Sequence, residues 1–334
     1  MDEALYDSYW HKESGCESLS PLVSILVPCH NAEEYVAQAI ESALAQTWSN
    51  IEIVAVNDGS TDGSAEVLSK FKARNFKLIK PDQPLRSAAK ARNLAYQNCS
   101  GDFTKYFDAD DLLHPQMVER QLQRLEGNKS DVASSGWGRF YGNDLSSFKL
   151  NPQSVWRDMD ARDWLVEALM DARPMMQPGM FLIPRKTIDQ VGGWDEELSL
   201  IDDFEFFARV LSHAKNTRFT PDVPLMYRSG LPGSLSGRKS DAAIESAFQS
   251  LMRGTGHLLN VREEPKARQA CANMLQDFIY TFYPSRLDLR SQVATRINEL
   301  GGSDLQPDGS PKFHLLRKFV GWKITRYFKR KWRK

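Results

Sequence analysis

Long apolar runs and paired cysteines are both missing from this sequence, and each absence excludes a class of protein. No stretch of about 18 apolar residues occurs, so we expect no transmembrane helix. The four cysteines, Cys16, Cys29, Cys99 and Cys271, are scattered and form no CxxC pair. We therefore expect reduced thiols in a cytoplasmic protein, with neither a disulfide framework nor a zinc site. Residues 1–18 are acidic and polar, so no signal peptide is predicted.

The chain also lacks a net charge, but its charges are unevenly distributed. It has 43 Lys and Arg and 43 Asp and Glu. Residues 312–334 hold ten of the basic residues and no acid, so the remaining body is acidic. An acidic body with a basic tail is typical of chains that face a membrane or a nucleic acid.

Short β-branched runs alternate with helical patterns over the first third of the chain. The predicted strands cover residues 22–31, 51–60, 76–80 and 102–107, and the predicted helices cover residues 32–46, 61–73 and 87–99. This alternation with short links indicates βαβ units, and so a mainly parallel α/β sheet flanked by helices. The middle of the chain is less regular, and the pattern beyond about residue 240 is mostly helical.

Polar residues follow three of these strands at their carboxyl ends, at residues 28–31, 57–60 and 108–111. Ligands of open α/β sheets bind beyond the carboxyl ends of the strands, so the three clusters together predict one binding crevice. The third cluster places Asp108, Asp110 and Asp111 within four positions, where like charges repel. Either these acids form a solvated turn or they hold a cation.

The ordered motifs resemble glycosyltransferase family 2. They are "SILVPCHNAEEYVAQAIESALAQTWSNIEIVAVNDGSTDGS", then "KARN", then "FDADD", over roughly residues 21–115. A weaker match continues through "VGGWDEELSLIDDFEFFARV" to "YRSGLPGSLS", near Ser236. The resemblance implies a GT-A fold, which binds nucleotide sugars.

With this family in view, the chain divides into five predicted segments. They are an N-terminal arm (1–20), a GT-A catalytic domain (21–238), a helical extension (239–300), a linker rich in Gly, Pro, Ser and Asp (301–311) and a basic amphipathic tail (312–334).

The resemblance implies a set of donor-binding residues. Asp58 is expected to contact the uracil or ribose, since a carboxylate accepts hydrogen bonds from base N–H groups and ribose hydroxyls; the alternative is a simple Asp-Gly turn. Pro28 and Asn31 are expected to shape the first loop around the nucleotide. Arg92 is expected to hold either the donor or the acid cluster, and Arg228 to reach the diphosphate.

The DAD motif is expected to bind the cofactor, Mn²⁺ or Mg²⁺, because a diphosphate beside aspartates requires a cation between them. The family pattern gives this role to the first and third positions of the motif, Asp108 and Asp110, and we assign Asp110 as the direct ligand. Asp108 is expected to meet the ribose or to bind the metal through water. Asp111 is assigned to a helix cap or to the surroundings of the metal.

Inverting glycosyl transfer needs one carboxylate to take the proton of the acceptor hydroxyl. The family carries Glu-Asp at the start of a helix where this chain has Asp202 and Asp203. We predict these two as the catalytic pair, with Asp203 as the base and Asp202 as its neighbour. The family's histidine after the YR motif is missing here, since Gly230 and Leu231 stand near that position.

The tail has an apolar stripe at helical spacing, and the remaining face of the helix is basic. The stripe follows Leu316, Phe319, Val320, Lys323, Ile324, Tyr327 and Phe328, of which only Lys323 is charged. This pattern is typical of a helix that lies on an anionic membrane surface. The alternative is a helix that packs on the catalytic domain. No nucleic acid is expected as a partner, because no recognised module accompanies the tail.

These observations predict an inverting, metal-dependent glycosyltransferase. Its donor would be a nucleotide diphosphate sugar, UDP-linked, and its acceptor a saccharide or a lipid-linked hydroxyl. It would act in polysaccharide or glycolipid assembly, peripherally at the inner face of the cell membrane. The alternative is a nucleotide-sugar-binding protein of the same fold without turnover. A nucleotidyltransferase would want a glycine-rich loop after the first strand, where "VPCHNAEEY" offers none.

Overall fold

The computed structural model describes residues 20–231 and 240–331, with side chains up to residue 326. The predicted arm, residues 232–239 around Ser236, and the side chains of Tyr327 and Phe328 lie outside the described residues. The predicted segment boundaries therefore stay predictions.

Nine strands occur in the described ranges. They are β1 (Val23–Cys29), β2 (Ile51–Asn57), β3 (Phe76–Ile79), β4 (Phe103–Tyr106), β5 (Val132–Tyr141), β6 (Asp144–Leu150), β7 (Met159–Asp160), β8 (Phe181–Pro184) and β9 (Asn216–Ser229). They form one sheet in the order β3-β2-β1-β4-β8-β5-β9-β7, with β6 paired to β5.

Helices cover both the sheet region and the C-terminal part of the described chain. They are α1 (Val36–Leu44), α2 (Ser64–Ser69), α3 (Ala88–Gln97), α4 (Met117–Leu125), α5 (Ala161–Met170), α6 (Arg185–Val191), α7 (Asp202–His213), α8 (Asp241–Val261), α9 (Pro265–Phe282), α10 (Leu287–Glu299) and α11 (Pro311–Lys331). A short 3-10 turn, Pro178–Met180, precedes β8.

The sheet is mixed but mainly parallel. Strands β1, β2, β3 and β4 run in one direction, β8 runs against β4, and β5 and β9 resume the first direction. The predicted α/β fold class, with its helical C-terminal region, is confirmed. Strand β1 is central, yet it contains Pro28, which donates no backbone hydrogen bond. Its pairing with β4 ends at Leu26, so Pro28 interrupts no bond on that side.

Strand β9 is longer than the short strand predicted near residue 225. It has 14 residues and pairs with β5 in parallel. Pro221, Asp222 and Pro224 lie inside it, and Asp222 has a positive φ of 64°. Their irregular backbone shifts the register between Ser135 and Trp137, which is why the sequence there lacks a strand pattern.

An aromatic cluster fixes α7 beneath β4. Trp194 stacks on Phe206 with ring centroids 4.2 Å apart, and Tyr106 of β4 meets both rings edge-on. Such ring pairs stabilise the fold by more than the burial of their surface alone would. Because Phe206 follows the acidic start of α7, this packing brings Asp202 and Asp203 towards the end of β4.

The tail helix α11 is kinked at Gly321, which has φ 76° and ψ 157°. One face packs on α9: Trp322 contacts the rings of Tyr280 and Tyr283 at 4.9 and 5.1 Å, and Arg326 donates to the Tyr280 carbonyl. The described apolar residues of the predicted stripe, Leu316, Phe319, Val320 and Ile324, are exposed, and Phe319 has 80% of its surface accessible. No helix in the described part of the chain is long and apolar enough to cross a membrane.

Candidate active site

The first two polar clusters meet through direct hydrogen bonds. Asn31, in the left-handed region with φ 51°, accepts from the backbone N–H of Thr61 at 2.8 Å. The His30 ring lies 2.8 Å from the Asp58 carbonyl oxygen, through Nδ1. Asn and Asp tolerate positive φ better than branched residues, which suits Asn31 to this sharp exit from β1. The polar clusters at the ends of β1 and β2 therefore lie side by side.

Asp58 is buried and anchors the start of α3. Its carboxylate accepts from the backbone N–H groups of Leu85, Arg86 and Ser87 at 2.5, 3.1 and 3.1 Å. Three such bonds occupy both of its oxygens in this conformation. Neither the donor-contact interpretation nor the turn interpretation predicted these bonds, and the donor role of Asp58 stays a prediction.

The three aspartates after β4 have different partners. Asp108 accepts from Arg92 at 2.9 Å and from Gln177 at 2.9 Å. Asp111 is fully buried and accepts from the same Gln177 amide at 2.5 Å and from the Arg228 backbone N–H at 2.8 Å. No side chain or backbone N–H of another described residue donates to the Asp110 carboxylate. Of the three aspartates, Asp110 therefore has the fewest hydrogen bonds to the described part of the protein.

Burial dominates the electrostatics of this cluster. It raises the pKa of Asp110 to about 6, with a further contribution from the charge of Asp108. Burial also raises the pKa of Asp111 well above its ordinary value, and the charges of Asp110 and Asp108 add to this. A cation near these groups would favour their ionised forms and lower both pKa values.

Arg92 joins this cluster to the start of α7. One guanidinium nitrogen donates to Asp108 and the other to Asp202, each at 2.9 Å. The guanidinium also lies 4.2 Å from the centroid of the Trp194 ring. Of the two interpretations of Arg92, the contact with the acid cluster is present in the structure.

Asp203 differs from Asp202 in having no cationic partner among the described residues. Its carboxylate accepts only from the backbone N–H of Phe204, at 2.8 Å. Burial raises the pKa of Asp203 to about 7, and the charge of Asp202 adds to the effect while Arg92 opposes it. A carboxylate with this pKa accepts protons readily near neutral pH.

The loop before Asp203 is strained and is held by the helical extension. Ile201 has a positive φ of 61°, which is costly for a β-branched residue. Ser250 of α8 donates to the Ile201 carbonyl at 2.5 Å. Ser246 accepts from the backbone N–H groups of Ser199 and Leu200 at 2.7 and 2.9 Å. We call these two residues of α8 the serine clamp.

Arg228 is almost fully buried, and neutral acceptors surround its guanidinium. It donates to the carbonyls of Asp110 and Gly142 and to the side chains of Asn143 and Gln38. The rings of Tyr35 and Phe140 lie 4.8 and 4.6 Å from it. In this conformation Arg228 supports the backbone of the acid cluster, and its contact with a diphosphate stays a prediction.

Two polar residues at the site carried no assigned contact in the sequence. Gln177 joins Asp108 to Asp111, as described above. Lys105 of β4 is fully buried and donates to the carbonyls of Gly179 and Phe181 at 2.9 and 3.0 Å, which fixes the turn after Gln177. Burial lowers the pKa of Lys105 to about 7. A lysine inside the apolar run "DFTKYF" is the signal that could have identified it.

Within the described ranges, no group of three or more His, Cys, Asp or Glu side chains is arranged to hold a metal ion. A metal at this site would have to share its ligands between one or two carboxylates and a bound diphosphate. Mg²⁺ commonly binds in this way.

Comparison with known proteins identifies the family. The sequence model of glycosyl transferase family 2 matches residues 24–192, about half of the chain. The chain belongs to this family. Among curated family members, the uncharacterized glycosyltransferase EpsJ of Bacillus subtilis is 27% identical over 233 residues, 69% of this chain and 67% of EpsJ. Glycosyltransferase GlyA of Streptococcus pneumoniae is 32% identical over 118 residues, 35% of this chain and 17% of GlyA.

Other relatives are much longer than this family 2 chain. An uncharacterized glycosyltransferase of Rickettsia bellii is 29% identical over 202 residues, 60% of this chain but only 29% of the relative. Among solved structures, that of S. aureus TarS 1-349 in complex with UDP-GlcNAc has a TM-score of 0.66 at 19% identity, over 83% of this chain and 80% of the TarS 1-349 chain. This similarity shows the GT-A fold.

The family match ends before the predicted base. It covers the polar clusters on β1, β2 and β4 but stops at residue 192, ten residues before Asp202. The structure nevertheless joins the two parts through Arg92, which lies inside the match and binds Asp202 outside it.

Proposed function

We propose that this chain is an inverting glycosyltransferase that moves a sugar from a metal-bound nucleotide diphosphate, UDP-linked, to an acceptor hydroxyl. The observation that carries the proposal is the pairing pattern around Arg92. Arg92 neutralises Asp108 and Asp202 and so links the acids after β4 to the start of α7. Within the described residues, Asp110 and Asp203 form no ion pair with a basic side chain, and one of them lies in each half of the site.

Asp110 has the properties that a metal ligand needs. Its carboxylate is partly exposed, receives no hydrogen bond from another residue, and lies in an acidic cluster where burial penalises its charge. Mn²⁺ or Mg²⁺ would be held by Asp110, with Asp108 close by, and would stabilise negative charge on the departing diphosphate. Gln177 and Arg92 keep Asp108 oriented. The buried Asp111 accepts hydrogen bonds from Gln177 and from the Arg228 backbone, which stabilises the turn after β4.

In the proposed reaction, Asp203 takes the proton of the acceptor hydroxyl. The hydroxyl oxygen then forms a bond to the anomeric carbon while the bond from that carbon to the diphosphate oxygen breaks. The nucleotide diphosphate leaves with the electron pair of that bond. Asp202 pairs with Arg92, and its negative charge helps to raise the pKa of Asp203. This division between a paired and an unpaired carboxylate supports Asp203 as the base.

The nucleotide is proposed to lie over the carboxyl ends of β1 and β2. Pro28 and Asn31 would border it on one side and Asp58 on the other, either through direct contact or through the 85–87 segment that Asp58 fixes. The structure of TarS in complex with UDP-GlcNAc supports a UDP-linked donor for a chain with this fold.

A thermal-shift screen tests the function. Nucleotide sugars with several bases are added with and without Mn²⁺, since a ligand that binds only the folded state raises the melting temperature. We expect a shift that requires both a UDP-sugar and the metal. A shift with nucleotide sugar that is identical in the presence of a chelator would contradict metal dependence. Donor binding without any turnover on a panel of acceptors would favour the non-catalytic alternative.

We also propose that the enzyme works at an anionic membrane surface through α11. Leu316, Phe319, Val320 and Ile324 stay exposed although the opposite face of α11 packs on α9. Lysines 312, 318 and 323 are exposed around this stripe, and each cation near an anionic surface contributes on the order of 1 kcal/mol. Attachment of this kind would bring the site close to a lipid-linked acceptor.

Vesicle co-sedimentation tests the membrane proposal. Phe319→Ser with Ile324→Ser should reduce binding to vesicles that contain phosphatidylglycerol, and the wild type should bind neutral vesicles more weakly. Leu287→Ser is the matched control, because Leu287 is 67% exposed and lies outside α11. Equal partitioning of the double variant and the control would contradict the proposal.

A further inference from the structure

Arg139 is an exposed cation of β5 that no described residue neutralises. In the parallel pairing of β5 with β9 it lies beside Tyr227. Its guanidinium carbon lies 5.6 Å from the ring centroid of Trp137 and 5.6 Å from that of Tyr227. Contact with two rings restricts the orientation of a guanidinium while its N–H groups stay available to a ligand.

The two rings beneath Arg139 are themselves fixed. Trp137 is only 4% exposed and donates through its indole nitrogen to Gln153 at 3.2 Å. Tyr227 meets Trp137 edge-on, with centroids 6.2 Å apart. Arg139 therefore rests on a rigid platform, unlike a surface arginine whose side chain is free to rotate.

This platform borders the acid cluster. Arg228, which follows Tyr227, donates its backbone N–H to Asp111. Met226, which precedes Tyr227, pairs with Leu112. Burial raises the pKa of Tyr227 to about 12, with further contributions from the charges of Asp111, Asp110 and Asp108, while Arg139 opposes them. Tyr227 is thus close enough to the acids to sense their charge, and Arg139 lies over its ring.

The order of the strands indicates which substrate Arg139 would meet. From the nucleotide side, the order is β2, β1, β4, β8, β5. The acids follow β4, so β5 lies on the far side of them from β1 and β2. If the nucleotide lies over β1 and β2, as proposed above, Arg139 faces the side from which the acceptor enters.

The other two arginines at the site are already committed. Arg92 is bound to two aspartates, and Arg228 is bound to carbonyl and amide oxygens. Arg139 is not committed in this way among the described residues, so it is available to bind an anion. The aspartates after β4 and at the start of α7 would repel an anionic acceptor, unless a fixed cation on the acceptor side offsets that repulsion.

We propose that Arg139, held over Trp137 and Tyr227, binds an anionic group of the acceptor, so that the enzyme glycosylates a hydroxyl compound that carries a phosphate or a carboxylate. The planar guanidinium fork suits both oxyanions, because it donates two parallel hydrogen bonds. The inference rests on the proposed function and extends it by naming the chemical class of the acceptor.

Three small probes that differ only in the charged group test this assignment. They are glycerol, glycerate and glycerol 1-phosphate, titrated by calorimetry into protein saturated with UDP and Mg²⁺ so that the donor side is occupied. We expect one or both of the charged probes to bind and glycerol to give no measurable binding. Whichever charged probe binds the wild type more tightly identifies the anion.

Variants then connect this binding to Arg139. Arg139→Ala should lower the affinity for the charged probe roughly tenfold, which is the loss expected for one charge-assisted pair. Arg139→Lys should recover part of the affinity, because the charge remains but the fork is lost. Arg74→Ala is the matched control, since Arg74 is exposed and precedes β3 at the opposite edge of the sheet. It should bind the probe as the wild type does.

Several results would overturn the assignment. They are equal affinity of Arg139→Ala and the wild type, equal binding of glycerol and the charged probes, no binding of either charged probe, or binding that UDP displaces. The last result would assign Arg139 to the donor diphosphate instead. Failure of UDP to bind wild-type protein with Mg²⁺ is a separate result, which contradicts the proposed function itself.

Discussion

The two halves of the candidate site are built in different ways. In the donor half, the polar side chains stand directly at the ends of the buried strands β1, β2 and β4, although distant residues such as Gln177 and Arg228 complete some of their hydrogen bonds. In the base half, Asp203 follows a strained residue, Ile201, and the loop depends on two serines of α8, some 45 residues further along the chain. Strand ends place the side chains of the first half, whereas contacts between distant segments place those of the second. Each of the following changes is expected to affect one half more than the other.

Asp203→Asn should have the largest effect, and only on the base half. Loss of a general base typically lowers the rate about 10²- to 10⁴-fold, while binding of UDP with Mg²⁺ should be unchanged. Transfer of labelled sugar and calorimetry with UDP measure the two. Asp171→Asn, at the exposed end of α5, should retain full activity. A near wild-type rate in Asp203→Asn would remove the base assignment.

Arg92→Met should damage both halves together. It leaves Asp108 and Asp202 without their shared cation at a buried position, which we expect to cost about 3–5 kcal/mol of unfolding free energy. Urea unfolding measures this loss. Arg157→Met is the comparison, because Arg157 is exposed and loss of its surface pair with Glu167 should change the unfolding free energy much less. Equal losses in the two variants would show that the Arg92 bridge has no special weight.

Gln177→Leu should act on the donor half alone. It removes the amide shared by Asp108 and Asp111, and leaving the buried Asp111 short of a donor should cost about 1–3 kcal/mol. We expect a lower melting temperature and weaker UDP binding in Mg²⁺, with the pH profile of the base unchanged. A change in that pH profile without loss of UDP affinity would place the effect of Gln177 in the other half.

Breaking the serine clamp should weaken the base half selectively. Ser246→Ala with Ser250→Ala removes hydrogen bonds worth about 1 kcal/mol each and releases the loop before Asp203. Turnover should fall while UDP binding persists. Ser212→Ala on α7 is the control, because its buried hydroxyl has no hydrogen-bond partner among the described residues. If the double variant turns over as fast as Ser212→Ala, the clamp does not position the base.

The pH dependence of the rate gives the finest comparison. Asp203 must be ionised to accept a proton, so turnover should rise with pH and level off above about 7, the raised pKa that follows from burial and from Asp202, against the opposing Arg92. Asp202→Asn removes the neighbouring negative charge, so the rise should move to lower pH. A rise that stays in place or moves upward in this variant would contradict the coupling.

The same raised pKa sets the sign of a stability effect. Its ordinary value is 3.8, so folding favours the protonated form of Asp203. The stabilisation is fully present below pH 3.8 and is lost as the pH rises towards 7. Asp203→Asn should remove this loss, which urea unfolding at two pH values would measure.

Sequence patterns predicted the strands of the donor half because their signals are local. The buried runs of β1, β2 and β4 end in the polar clusters that the sequence indicated. Sequence patterns cannot show which hydrogen-bond partners a side chain contacts in the folded protein. The carboxylate of Asp58 binds the 85–87 segment, and Arg228 binds neutral oxygens, although both residues were selected for their charge.

The base half was located only by resemblance. Nothing near Ser246 or Ser250 distinguishes them from other serines on a helix, because their role depends on a loop that reaches α8 only after folding. The same holds for Gln177, which meets the acids through the turn fixed by Lys105. The kink in the tail helix was not predicted either. The backbone of α11 turns at Gly321, and one face of the helix packs on α9.

The serine clamp has a consequence for any attempt to divide this chain. A fragment that stops at residue 192, where the family match ends, would lack Asp203 altogether. A fragment that stops after α7 would retain Asp203 but not the hydroxyls that hold Ile201 in its costly conformation. Chimeras that exchange the C-terminal helices with those of a relative would therefore have to supply equivalents of Ser246 and Ser250. If Asp203 is the base, as proposed, the smallest active unit ends beyond α8, and the helical extension contributes to catalysis.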